Sequence, residues 1–265
     1  MKQFILRETP GRNRTVRLDG DDYHYLVRVR RLKPGDSFPA LLPGGVLGTV
    51  SVLSTEGGIL SGRVSVREEV SVQEGVPAAL PSALPPLVLF QALPKGTKID
   101  LIVRQAAEGA LSEVVVFLSE RSVARAGKPE DKEERWRRIV KEARQQSGSP
   151  VETAIRFRPS LDAALFRWAA FKKQYRNPLG LLLHQYPLEK ETFHDYLDTS
   201  PDLLVLAAGP EGGFSAAEVT GFLEAGFKAV RIGDTVLRSE TAALYGAAAA
   251  RIILLERSAW MLKEK

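Results

Sequence analysis

Leu203-Leu204-Val205-Leu206-Ala207-Ala208-Gly209-Pro210-Glu211-Gly212-Gly213-Phe214-Ser215-Ala216-Ala217-Glu218 is the stretch from which the fold of the 265-residue chain is read. Leu203 to Leu206 forms a purely aliphatic run, the pattern of a strand buried on both faces. It stops at a turn holding three glycines, one proline and one carboxylate. Ser215 followed three residues later by Glu218 has the spacing of a capping box, opening a helix that places Val219, Phe222 and Leu223 on one face. In open α/β sheets a glycine-rich turn between a strand end and a helix start is a ligand-binding position. Backbone N–H groups are exposed there, and residues without Cβ allow close approach.

Two further segments repeat this ending. Leu179 to His184 reads as a buried strand closing on a histidine, and Ala229 to Gly233 as a strand closing on a glycine. Asp234 to Thr241 then leads into an alanine-rich helix from Ala242 to Glu256. His184 at a strand end either lines a ligand site or is a hydrogen-bonded structural histidine. Loops leaving one edge of a sheet at His184, Gly209 and Gly233 can jointly wall one pocket. Upstream, strands over Leu87–Gln91 and Val114–Leu118 alternate with helices over Lys98–Glu108, Lys132–Gln146 and Leu161–Phe171, the signature of a parallel α/β sheet.

Residues 1–72 read differently. Short apolar runs at Val46–Val52 and Gly62–Val66 are separated by turns such as Lys33-Pro34-Gly35-Asp36, so a small β domain with little room for helices is expected. Within it, Tyr23 to Leu32 mixes aromatic residues with Arg28, Arg30 and Arg31, a composition suited either to RNA or to an amphipathic segment with exposed arginines. Residues 73–86, with Pro77, Pro81, Pro85 and Pro86 among small residues, have linker composition, leaving 87–265 as the α/β domain.

The formal charge of +5 is modest, but residues 121–176 carry 15 basic groups against 7 acidic ones. Arg135, Arg137, Arg138, Lys141 and Arg144 surround the stripe Trp136, Ile139, Val140 and Ala143 on one helix. That excess fits either a polyanion such as RNA or a solvated helix face laced with i,i+4 pairs such as Glu134–Arg138. The absence of cysteine excludes thiolate nucleophiles and disulfides, and three scattered histidines make no metal site. No run approaches the roughly 20 apolar residues of a membrane span. Met1 to Pro10 is charged where a signal peptide is apolar, so a cytoplasmic protein is expected.

Neither a Walker loop nor a dinucleotide fingerprint fits Gly209, Gly212 and Gly213, and no G-x-S-x-G motif is present. The block Gly209 to Ser215 with Glu218, and the later Gly233 with Val236 to Ala242, resemble the signature blocks of the RsmE family. Its members methylate N3 of a uridine in 16S ribosomal RNA and belong to the SPOUT superfamily. His24-Tyr25-Leu26 with Arg28-Val29-Arg30, Leu93-Pro94-Lys95-Gly96, Ser119-Glu120-Arg121-Ser122, Arg135-Trp136 and Gln146-Ser147-Gly148 extend the likeness along nearly the whole chain.

The resemblance implies a PUA-like β-barrel followed by an α/β trefoil-knot domain, assembled as a homodimer. S-adenosylmethionine would be held by Leu183, His184, Gly209, Pro210, Glu211, Gly213, Ile232, Gly233, Val236 and Leu237. Arg238, Glu211 and Glu240 would serve the chemistry. His24, Arg28, Arg30, Arg31, Arg121 and Arg144 would meet the 16S rRNA or the small ribosomal subunit. No metal or membrane is implied. Against these stand a non-catalytic RNA-binding assembly factor and methylation at another RNA position. The chain departs from the family in carrying Gln105, Ser149 and Thr235 where cations are usual.

Overall fold

The computed structural model describes residues 3–11, 13–66, 84–122, 129–186 and 190–261. Two compact units emerge, Met1–Ala78 with Glu142–Val151, and Ala79–Lys141 with Glu152–Lys265. All but 84–86 of the proposed linker lies outside the described residues. Residues 142–151, assigned from sequence to the second domain, group with the first. The reason is local contact: the Gln3 amide donates to the Gln145 carbonyl at 2.7 Å, and Gly45 packs so closely on Pro150 that a Cβ there would lie 2.2 Å from the proline ring.

The first unit is a five-stranded sheet in the order β1-β3-β4-β5-β2, built from β1 (Phe4–Ile5), β2 (Thr15–Leu18), β3 (Ser37–Leu41), β4 (Leu47–Ser54) and β5 (Leu60–Val66). Alternation along β4 buries Gly48, Val50 and Val52 and exposes the residues between, as a sheet with one solvated face requires. Its core gathers Phe4, Val16, Leu26, Phe38, Val50 and Leu60. The expectation of little helix fails at one place. Helix α1 (Gly20–Tyr23) runs on into a wider π-helical turn over His24–Val29. Leu26 drives this, because the helical turn inserts its fully buried side chain beneath the sheet and leaves His24 and Arg28 outside.

The second unit is a six-stranded parallel sheet, ordered β11-β9-β10-β6-β7-β8. Its strands are β6 (Leu87–Ala92), β7 (Glu113–Phe117), β8 (Ala154–Arg158), β9 (Pro178–Leu183), β10 (Leu203–Ala208) and β11 (Lys228–Val230). Every residue of β6, β7 and β10 is buried; β10 is apolar throughout, while β6 and β7 are apolar apart from the buried Gln91 and Glu113. Its helices are α2 (Lys98–Glu108), α3 (Pro129–Ser147) up to Lys141, α4 (Leu161–Gln174), the short α5 (Phe193–Leu197), α6 (Ala216–Glu224) and α7 (Ser239–Met261). Helices α2 and α7 pack together, with α7 against β10 and β6, while α4 lies on β7 and β8. On the α4 and α6 side, Phe90, Phe117, Trp168, Phe222 and Phe227 form one aromatic core. Phe222 is buried as expected, but Leu223, expected beside it, is exposed.

Candidate active site

The three strand ends marked in the sequence meet, because β11, β9 and β10 are consecutive parallel neighbours and their carboxyl ends lie at one edge. The loops leaving them enclose a cavity of about 230 Å³. Leu183 and His184 line it from β9, Gly209, Pro210, Glu211 and Gly213 from β10, and Ile232, Gly233, Val236 and Leu237 from β11.

Five attachments fix the turn after β10. Phe214 drops into the aromatic core, its ring centroid 5.1 Å from Phe222 and 6.3 Å from Phe117. Ser215 and Glu218 form the reciprocal capping box that the spacing implied. The same buried Glu218 carboxylate accepts the Glu120 amide at 2.9 Å, drawing in the loop after β7. From that loop Arg121 donates to the Gly212 carbonyl at 2.7 Å. At the base of the turn, Gln91 Nε2 donates to Ser239 Oγ at 3.0 Å, and Ser239 Oγ donates to the Gly209 carbonyl at 2.5 Å.

Two glycines here answer to geometry. Gly213 sits at φ +65°, where a side chain is strained. A Cβ on Gly209 would lie 3.3 Å from the Gly213 Cα, so the turn closes tightly on itself. Gly233 differs: nothing lies within 4 Å of its virtual Cβ.

Glu211, at the middle of the turn, is occupied. Its carboxylate accepts the Lys95 amide at 3.1 and 3.2 Å and the Lys98 ammonium at 2.7 Å. Burial pushes its pKa up, but the Lys98 hydrogen bond and the backbone amides outweigh that and hold the carboxyl below the usual carboxylate range. Lys98 is raised in turn, chiefly by its hydrogen bond to Glu211.

The other two residues expected for chemistry lie apart. Arg238 is exposed, outside the cavity lining, and has no ion-pair partner among the described residues. Glu240 lines a second cavity of about 120 Å³ between α2 and α7, with Leu89, Ile102, Ala243 and Ala247, and its carboxylate lies 3.4 Å from the Lys98 ammonium that also holds Glu211. Neighbouring residues at a helix start point in divergent directions, so with Ser239 turned into the first cavity, Glu240 cannot share it.

The expected RNA residues also separate. His24, Arg28 and Arg31 are exposed, and Arg30 is half-buried with its guanidinium carbon 6.0 Å from the centre of the Phe38 ring. Arg121 lines the first cavity. Arg144 is buried, its Nε 3.5 Å from the Ser149 carbonyl, and is no surface cation. On the same helix Arg135 pairs with Asp100, Arg137 with Glu133 and Arg138 with Glu134, so much of that basic surplus is internally neutralised. Of the positions lacking usual cations, Thr235 lines the first cavity, Gln105 the second, and Ser149 is buried in the first unit.

Sequence reasoning missed Gln185, Gly212, Phe214, Arg231, Thr235, Ser239 and Ala242 in the cavity wall. Gly212 and Phe214 lay within the Gly209–Ser215 block, Ser239 and Ala242 within the Val236–Ala242 block, and Thr235 stands where the family usually has a cation. Nothing local marked Gln185 and Arg231.

The chain is an RNA methyltransferase by its family: a model described as an RNA methyltransferase domain matches residues 81–251, and one described as an RNA methyltransferase PUA domain matches 18–59. The chain is similar to ribosomal RNA small subunit methyltransferase E of Synechocystis, 32% identical, covering 86% of this chain and 70% of that protein. It is also similar to ribosomal RNA small subunit methyltransferase E 2 of Borreliella burgdorferi, 28% identical, covering 96% and 98%. The chain belongs to the ribosomal RNA small subunit methyltransferase E family. Its fold matches the crystal structure of the Neisseria gonorrhoeae member bound to S-adenosyl methionine, at a TM-score of 0.74 and 23% identity over 96% of this chain and 98% of that one.

Proposed function

We propose that the protein transfers a methyl group from S-adenosylmethionine to N3 of a uridine in 16S ribosomal RNA. The observation that carries this reading is the cavity at one sheet edge, which gathers all ten residues expected to hold the cofactor. Its walls suit such a ligand. Leu183, Ile232 and Leu237 offer apolar surface to an adenine, and the turn at Gly209–Gly213 presents backbone groups with no Cβ at Gly209, Gly212 or Gly213 to hold a ligand off. Bound there, S-adenosylmethionine supplies an electrophilic methyl group on a sulfonium.

Uracil N3 carries a proton with a pKa of about 9, so the site must favour the anion. Arg238 is suited to this, being a cation beside the cavity without a partner among the described residues. Glu211 is not suited to take the proton, because Lys98 and the Lys95 amide stabilise its charged form. Glu240 faces the other cavity. The reading therefore assigns the proton to water, with Arg238 stabilising the anion.

His24, Arg28 and Arg31 form the exposed part of the proposed RNA contact in the first unit. A second copy of the chain would cover the α2–α7 face of the second unit, where Leu244 and Ile252, two turns apart on α7, are exposed at 38% and 54%. The trefoil knot and action in the cytoplasm belong to the same reading. Among the described residues no helix is long and apolar enough to cross a membrane, and no cluster of three or more His, Asp or Glu side chains occurs.

Incubation with small subunits or 16S rRNA and methyl-labelled S-adenosylmethionine, followed by nucleoside mass spectrometry, tests the proposal. The expected product is 3-methyluridine at one site. Label on ribose or on another base would redirect the reading to a different RNA position, and cofactor binding without any transfer would favour a non-catalytic assembly factor.

A further inference from the structure

Lys98 is the first residue of α2 and lines neither cavity, yet its ammonium joins the walls of both. Nζ lies 2.7 Å from Glu211 Oε1, in the turn that walls the first cavity, and 3.4 Å from Glu240 Oε2, in the wall of the second. Glu240 Oε2 is buried and accepts no hydrogen bond, so Lys98 is its counter-charge among the described residues. Without that cation the buried Glu240 Oε2 would be left unpaired, and Glu211 would keep only backbone amides, its own and that of Lys95.

The attachments divide the work along the turn. Ser239, one residue before Glu240, holds the Gly209 carbonyl at the base, and Phe214 anchors the far end in the core. Lys98 acts between them, at the one carboxylate on the turn. An ammonium with three donors can serve both carboxylates at once, which a neutral side chain cannot.

We propose that Lys98 is a positioning residue: by bridging Glu211 and Glu240 it fixes the turn after β10 at a set spacing from the start of α7, and so pre-forms the cofactor cavity without touching its ligand. The proposal rests on reading that cavity as the S-adenosylmethionine site. It adds that affinity there depends on a charge outside the cavity.

The test uses the full-length protein and two readouts. Without ligand, Lys98→Met should speed amide hydrogen exchange over Gly212–Phe214 about tenfold while β6 and β7 amides keep their protection. Calorimetry with S-adenosylmethionine should show Kd raised about tenfold, with Lys98→Arg recovering most of the loss. Lys98→Met combined with Glu211→Gln should bind no more weakly than Lys98→Met alone, since both remove one bridge. If Lys98→Met destabilises the whole protein, so that core amides also lose protection, Lys98→Gln supplies the same comparison. A folded Lys98 variant with wild-type exchange and wild-type Kd overturns the proposal, as do additive losses in the double variant. Should the wild-type protein bind no S-adenosylmethionine while the exchange difference persists, the cofactor reading fails and the bridge stands.

Discussion

The two glycine-bearing loops that face each other across the cavity are built to different standards. The Gly209–Phe214 turn is held by the aromatic core, a capping box, Arg121, Ser239 and Lys98, and it closes so tightly that a Cβ on Gly209 would lie 3.3 Å from the Gly213 Cα. The segment from Arg231 to Arg238 has an exposed i,i+3 pair between Arg231 and Asp234, open space at Gly233, and Val236 exposed at 80%. One wall is tied to the core at several points and the other at few. The difference suits a site that must hold one ligand rigidly and admit a large second one, because rigidity lowers the ordering cost for the first and mobility permits entry of the second.

Substitutions should separate the two walls, with the largest effect on the rigid one. Gly213→Val forces a branched side chain into φ +65° and should raise the Kd for S-adenosylmethionine at least about 100-fold while far-UV circular dichroism stays native. Unchanged affinity would remove the turn from the site. On the open side, Arg238→Ala should lower kcat by about 100-fold and leave cofactor affinity within about twofold, the pattern of a group that acts in the transition state. A matching loss of cofactor affinity would place Arg238 in the cofactor wall instead.

Glu211→Gln should reduce kcat/KM by only about tenfold and leave the acid limb of the pH profile in place if, as proposed, Glu211 acts as a clamp held by Lys98 and not as the base. The sign follows from the shifts. The depressed Glu211 contributes stability that is present above its ordinary value of 4.5 and lost as pH falls through its lower folded value, while Lys98, raised above 10.5, loses its contribution only in strong base. The clamp is therefore constant between about pH 5 and pH 10. A shift of the limb by about one pH unit in Glu211→Gln would make Glu211 the proton acceptor after all. Smallest of all, Gly233→Ala should change cofactor Kd by less than about threefold, since its Cβ would meet no protein atom and the loosely tied second wall can shift to seat a methyl group. A large loss there would show the second wall to be as exacting as the first.

Legibility in the sequence followed the range of the interactions. The strand from Leu203, the glycine turn and the Ser215–Glu218 box were readable because aliphatic runs, missing Cβ atoms and cap spacing are local signals. That three strand ends share one edge followed from parallel topology. The attachments that make the turn rigid were not readable: Lys98 and Glu211 are 113 residues apart, and Arg121 and Gly212 are 91 apart. That Glu240 lines a different cavity from Ser239, its neighbour in the same block, was not readable, nor was the burial of Arg144, because a helix wheel shows which face is polar and not what covers it. The helical turn at His24–Val29 was hidden because one buried residue, Leu26, decides it.

The most direct measurement is amide hydrogen exchange across the second unit with and without S-adenosylmethionine. Without ligand, Gly212–Phe214 should already exchange slowly and residues 232–237 rapidly. Addition of ligand should protect both, with the larger gain at 232–237. No protection at either loop at millimolar cofactor would contradict the account.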